Sequence, residues 1–129
     1  MQERILHILL VEDDPVNQKV ASSTLKRQGY IVDIAENGRI GVELFKQNYY
    51  DIILMDIQMP EMDGIEATKI IRQLEIDEGR NIQIPIIAVT AYAMEKDKNT
   101  FLSAGMDNYL SKPYKPENLL SLINSTLEY

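Results

Sequence analysis

Asp51-Ile52-Ile53-Leu54-Met55-Asp56-Ile57-Gln58-Met59-Pro60-Glu61-Met62-Asp63-Gly64 begins as a continuous apolar run, breaks off at a carboxylate, and turns through Pro and Gly into a helical pattern. A short apolar run bounded in this way reads as a strand buried on both faces, the kind found in parallel sheets. Asp56 then stands at the carboxyl end of a core strand, where open α/β sheets present their functional groups.

Working outward, the same unit recurs. Ile5 to Val11 is a nearly unbroken apolar run that ends in Glu12-Asp13-Asp14. Asp14-Pro15 opens a helix, with Asp as N-cap and Pro at the first helical position. Val20, Ala21, Thr24 and Leu25 form its predicted inward face, and Gly29 closes it. A second strand covers Tyr30 to Ala35, and after Asn37-Gly38 a second helix turns Gly41, Val42 and Phe45 inward. Past the central strand, Ala67, Ile70, Ile71 and Leu74 keep helical spacing from a start near Gly64. Glu75 to Gln83 is polar and reads as a surface loop. Pro85 to Thr90 is a fourth strand ending in a hydroxyl, followed by a loop in which Ala91 and Ala93 flank Tyr92. A fourth helix is expected from about Met94 to Ala104, closed by Gly105. Asn108 to Ser111 is a short fifth strand leading into Lys112-Pro113, and Pro116 opens a last helix that buries Leu119, Leu120, Ile123 and Leu127. His7, inside the first strand, reads as structural.

Five strand–helix alternations predict an α/β fold, because each parallel crossover needs a helix. Right-handed crossovers leave the flavodoxin-like, doubly wound, five-stranded parallel sheet of order 2-1-3-4-5, with five helices, as the expected topology. Its switch point falls between the first and third strands, which end in Glu12-Asp13 and in Asp56.

Composition narrows the class. The 129 residues predict one domain spanning 1–129. Twenty acidic against 13 basic residues, a net charge of −7, disfavour direct nucleic-acid binding. The absence of cysteine excludes disulfides and thiolate chemistry and is compatible with the cytoplasm, the expected location. No apolar run is long enough for a membrane span and no signal peptide precedes the first strand, so no membrane contact is expected; Met1 to Arg4 is a polar lead-in.

Three carboxylates, Glu12, Asp13 and Asp56, are expected to converge. Two unit charges about 4 Å apart repel by about 4 kcal/mol at an effective dielectric of about 20, so the cluster needs a cation or raised pKa values. Magnesium suits it better than calcium, because it accepts one or two carboxylates, keeps waters and takes phosphate oxygens. A carboxylate ionised at neutral pH needs no general base, so Asp56 is expected to accept a phosphoryl group directly. Phosphoryl transfer relies on positioning and charge neutralisation, roles open to Lys112 as a cation and Thr90 as a hydrogen-bond donor.

Leu9 to Asp14, Asp51 to Gly64, Ala88 to Ala91 and Tyr109 to Pro113 together resemble the response-regulator receiver domain of two-component signalling, over essentially the whole chain. The resemblance implies Asp56 as phosphoacceptor, and Mg2+ held by Asp13, Asp56 and the Gln58 backbone carbonyl, with Glu12 acting through water. It implies phosphoryl contacts from Thr90 and Lys112, Tyr109 as the switch aromatic, and a cis peptide at Lys112-Pro113. A histidine kinase or histidine phosphotransfer domain would be the donor. Asp14-Pro15-Val16-Asn17-Gln18 looks most like receivers of hybrid sensor histidine kinases or phosphorelays, although Asp14 stands where Asn is common. Such a domain modifies itself and turns over no external substrate, so it is no enzyme in isolation; its parent chain would be a hybrid kinase or another relay component. Val16 and Val20, beside the Lys112-Pro113 loop, form the candidate donor-docking surface, and Met94, Phe101 and Tyr109 mark the face expected to change on phosphorylation. The alternative is a phosphoaspartyl hydrolase of the haloacid-dehalogenase type. Those enzymes carry a second Asp two residues past the nucleophile, and Gln58 in that position cannot serve as an acid.

Overall fold

The computed structural model describes residues 4–91 and 95–127. Met1 to Glu3 of the polar lead-in, and Tyr92, Ala93 and Met94 of the expected loop, helix start and switching face, lie outside the described residues. The chain alternates β1 (His7–Val11), α1 (Pro15–Arg27), β2 (Ile31–Ala35), α2 (Gly38–Gln47), β3 (Ile52–Asp56), α3 (Gly64–Asp77), β4 (Ile86–Thr90), α4 (Glu95–Ala104), β5 (Asn108–Ser111) and α5 (Pro116–Leu127). The five strands pair in parallel in the order β2-β1-β3-β4-β5, which is the predicted order.

Alternation along the strands divides the core into two layers. Leu9, Val11, Ile53, Met55, Ile86 and Ala88 face Val42, Phe45, Ala67, Ile71 and Phe101 of α2, α3 and α4. Ile8, Leu10, Ile52, Leu54, Ile87 and Val89 face Ala21, Leu25, Leu119 and Ile123 of α1 and α5. All five residues of β3 are buried, as both-face burial of a central parallel strand requires. A full burial of Leu54 alone is worth about 1.5–3 kcal/mol.

The caps follow the local sequence. Asp14 accepts from the Val16 N–H with Pro15 at the helix start, Asn37 accepts from Ile40 N–H, and Asp63 from Glu66 N–H. Gly29 and Gly105 take φ values of +84° and +105° where α1 and α4 end, a region that glycine enters without strain. Among the described residues, no helix is long and apolar enough to cross a membrane.

Several expectations change, among them the burial of Leu120 and Leu127, which α5 leaves only partly covered while Leu119 and Ile123 are buried. Strand pairing starts later than the apolar run: Ile5 is 68% exposed, and the β1 register begins at His7 opposite Ile31. Val20 is not on the buried face of α1; the helix turns Ala21, Ser22, Thr24 and Leu25 inward and leaves Val20 51% exposed. Glu75 is not a loop residue. α3 continues through Asp77, and Glu75 is buried because Arg72 Nη1 at 2.8 Å and the Ile84 N–H at 2.7 Å occupy its two oxygens. The exposed connection begins only after the helix, with Gly79 at φ +68° in open space and Ile82 80% exposed.

His7 is structural. Its Nε2 lies 3.0 Å from Asp33 Oδ2, which also accepts from the Tyr50 hydroxyl at 2.8 Å. That bond and partial burial push the Tyr50 phenol above its ordinary pKa, burial being the larger cause.

Candidate functional site

The carboxyl ends of β1 and β3 bring Glu12, Asp13 and Asp56 together, each offering an oxygen within 4.8 Å of the others. Topology does this: β1 and β3 are neighbours whose helices leave on opposite faces, so a crevice opens between their ends. Glu12 and Asp56 are buried, at 4% and 5% exposure, and Asp13 is the least buried of the three.

Each carboxylate is placed by its own element. The Glu12 N–H extends the sheet by donating to Ala35 O at 2.9 Å. Its Oε1 accepts from Lys112 Nζ at 2.8 Å and its Oε2 from the Asp14 N–H at 3.1 Å. Gln18, on the second turn of α1, donates from Nε2 to the Glu12 carbonyl at 2.7 Å and ties the helix to the cluster. The Ile57 N–H continues β3 by donating to Val89 O at 3.2 Å, which fixes the peptide after Asp56.

Lys112 bridges the crevice from the far side. Its Nζ is also 3.3 Å from Asp56 Oδ1, and its own N–H donates to Thr90 O at 2.8 Å. Thr90, at the end of β4 and 2% exposed, pairs in register with Ser111. The peptide between Lys112 and Pro113 is cis. Gln58 lies two residues beyond Asp56 in the exposed turn to α3. Tyr109 stands two register positions back from the Thr90–Ser111 pair, opposite Ala88, and so outside the crevice. It is half-buried against the core rather than in solvent, with Lys98 Nζ 5.0 Å from its ring centre.

The electrostatics are unbalanced, with three carboxylates against one ammonium. Burial, then the charge of Glu12 and a hydrogen bond to it, push the Asp56 carboxyl up to about 7, and Lys112 offsets only part of this. Asp56 is therefore only partly ionised at neutral pH without a cation, where sequence reasoning takes it as fully ionised. Burial alone would lower the Lys112 pKa, but the hydrogen bond to Glu12 and the charges of Asp56 and Glu12 outweigh it, and the net shift is upward. Burial and the Glu12 charge also raise the Tyr114 phenol. An all-oxygen donor set with excess negative charge fits a hard divalent cation such as Mg2+. Such a cation would favour ionised Asp56.

Beside Lys112, the residues Asn17, Val20, Ala91, Pro113 and Tyr114 line a cavity of about 360 Å3. Val16, 68% exposed, is on the same first turns of α1. Gln18 and Tyr114 were not anticipated as parts of this region. Gln18 shows a local signal, lying one helical turn past the Asp14 cap, whereas Tyr114 shows none.

Comparison with known proteins agrees with this geometry. The model of the response regulator receiver domain matches residues 8–124. Hybrid signal transduction histidine kinase B of Dictyostelium discoideum is 48% identical over 125 residues, covering 92% of this chain and 6% of that protein. The curated relatives are much longer proteins, of which the chain spans 5 to 15%. Among solved structures, the receiver domain of sensor histidine kinase PA1611 from Pseudomonas aeruginosa PAO1, with magnesium coordinated in its active-site cleft, is 41% identical. Its TM-score is 0.84, with coverage of 96% of this chain and 98% of that one. A chain of the co-crystal of the Saccharomyces cerevisiae phosphotransfer protein Ypd1 with the receiver domain of Ssk1 is 32% identical. Its TM-score is 0.89, with coverage of 93% and 87%. Nothing in these matches supports the hydrolase alternative. Sheet order, carboxylate cluster and family model converge, and the chain belongs to the response regulator receiver domain family.

Proposed function

We propose that the chain accepts a phosphoryl group on Asp56 from a phosphohistidine, on a histidine kinase or a histidine phosphotransfer domain. The observation that carries this reading is the convergence of Glu12, Asp13 and Asp56, two of them buried, with Lys112 Nζ 3.3 Å from Asp56. An Asp56 carboxylate oxygen attacks phosphorus, the P–N bond to the imidazole breaks, and the electron pair stays on the departing nitrogen. Asp13, Asp56 and the Gln58 backbone carbonyl would hold Mg2+, with Glu12 acting through a water. Mg2+ when bound neutralises charge on the transferring oxygens. Lys112 supplies a second positive charge, and Thr90 donates to a phosphoryl oxygen. The chain turns over no external substrate in this reading and works in the cytoplasm within a hybrid kinase or a phosphorelay, in keeping with its long relatives.

Phosphorylation replaces the single carboxylate charge of Asp56 with a phosphoryl group carrying up to about two, a net gain of about one negative charge displaced outward from the side chain. Thr90 moving toward that group would vacate space for the Tyr109 ring and alter the face around Phe101. Phosphate drives this only through its different affinity for the two states.

The test is Asp56→Asn. No acyl phosphate should form on the variant from a phosphohistidine donor with Mg2+, and labelling at the wild-type rate would overturn the reading. The donor is proposed to dock on Val16 and Val20 beside the Lys112-Pro113 loop, since both valines are exposed at the mouth of the crevice. Val16→Glu with Val20→Glu should slow transfer at least tenfold while leaving Mg2+ binding intact; an unchanged transfer rate removes this surface.

A further inference from the structure

The turn between β3 and α3 is held from outside itself. Glu61 has φ +67°, the one non-glycine residue with positive φ among the described residues. A side chain in that region is strained and persists only where its surroundings hold it. Its Oε2 accepts from Asn37 Nδ2 at 3.1 Å, and Arg39 Nε lies 3.9 Å away. Asn37 is 8% exposed, and its Oδ1 accepts from the Ile40 N–H at 2.9 Å. One buried amide thus caps α2 with its oxygen and grips the turn with its nitrogen.

The contact continues inward. A Cβ at Gly38 would stand 2.5 Å from Met62 O, so the β2–α2 loop lies directly on the turn. Within the turn the Met62 N–H donates to Pro60 O at 2.8 Å and the Gly64 N–H to Ile57 O at 2.9 Å. A Cβ at Gly64 would stand 2.1 Å from Asp56 O. An unbroken line of close contacts therefore runs from the α2 cap, through the turn that carries Gln58, to the peptide of Asp56.

We infer that Asn37 and Glu61 form a positioning pair that holds the Gln58 turn in the conformation that binds Mg2+, so that they set metal affinity without touching the ion. The inference rests on the Mg2+-dependent reading above. Partners one shell away from a metal commonly change its affinity 10- to 100-fold, because they orient the ligands.

Asn37→Asp tests it in the full chain. Aspartate still caps α2, but it sets a carboxylate against Glu61. The added charge by itself would strengthen Mg2+ binding, since Asn37 lines the same depression as Asp13, so a loss runs against simple electrostatics. Calorimetric titration with MgCl2 should show about tenfold weaker binding. In metal-free protein, the Gly64 amide should exchange faster. Asn37→Asp with Glu61→Gln restores a donor–acceptor pair in the reverse sense at wild-type net charge, and should recover both readouts. Asn37→Ser keeps a cap but replaces the amide N–H that reaches Glu61 with a shorter hydroxyl on the cap; it should behave like Asn37→Asp and serves if that variant fails to fold. A merely structural contact would lower the unfolding midpoint and leave the Mg2+ affinity of folded protein unchanged, which would overturn the inference, as would a double variant that recovers nothing. Wild-type chain that binds no Mg2+ would overturn the underlying reading as well, whereas normal wild-type binding with an unaffected Asn37→Asp overturns this inference alone.

Discussion

Asp56 with Glu12, and Arg72 with Glu75, are two buried groups of charge in the same sheet-and-helix sandwich, and they are treated in opposite ways. Arg72 donates to Glu75 at 2.8 Å, to Asp107 at 3.0 Å and to the Gly105 carbonyl at 2.9 Å. The second Glu75 oxygen takes the Ile84 N–H, and Asp107 takes the Ile86 N–H at 2.9 Å. Backbone donors thus complete the group and lock α3, the entry to β4 and the entry to β5 together. At the crevice, three carboxylates share one ammonium, and Asp56 is pushed up to about 7. A buried charge group whose oxygens are occupied serves the fold, while one left short of positive charge waits for a ligand.

The comparison is broken most severely at Arg72. Arg72→Met should leave Glu75 buried without its cation and cost about 3–5 kcal/mol, measured by urea denaturation. A loss under about 1 kcal/mol would mean the network is dispensable.

Asp56→Asn should act in the opposite direction. The Asp56 carboxyl is raised in the folded chain, so its contribution favours folding below the ordinary carboxylate range near 4 and is lost as pH rises through about 7. In chelator, the variant should match wild type near pH 4 and exceed it by up to about 4 kcal/mol at pH 8. Equal stability at both pH values would show that the crevice is not frustrated.

The smallest effect sharpens the difference. In the proposed reading a cation would displace the proton from Asp56, so Mg2+ affinity should fall up to about tenfold per pH unit below about 7. Titrations at pH 5.5, 6.5 and 7.5 measure it, and a flat profile would place the metal away from Asp56.

These two groups also mark what the chain reveals when read alone. The crevice was legible because its acids end apolar runs, and strand order does the rest: β1 and β3 must be neighbours at the switch point. The Arg72 group was hidden, since a glutamate in a polar stretch looks like a loop, and its partner N–H at Ile84 lies nine residues away across an irregular connection. Helix ends were legible from Asp14, Asn37 and the glycines because caps are local chemistry. Val20 was misjudged because an apolar residue at the margin of a helical stripe faces inward or outward according to what the sheet leaves uncovered. Glu61 carries no sequence mark at all; its backbone is left-handed, and the partner of its side chain, Asn37, lies 24 residues away.

The open connection after α3 has a use in protein engineering. Gly79 and Ile82 precede the amino end of β4, whereas Asp56 lies at the carboxyl end of the adjacent strand β3, opposite Val89 and three residues, about 10 Å, along the sheet from Ile86. Loop-closure entropy grows only slowly with length, so a fluorescent reporter or an affinity tag spliced between Asn81 and Ile82 carries little thermodynamic penalty. Arg72 and Glu75 hold the anchors on either side, which leaves the far end of the molecule as a handle for immobilising the domain with its crevice facing free solution.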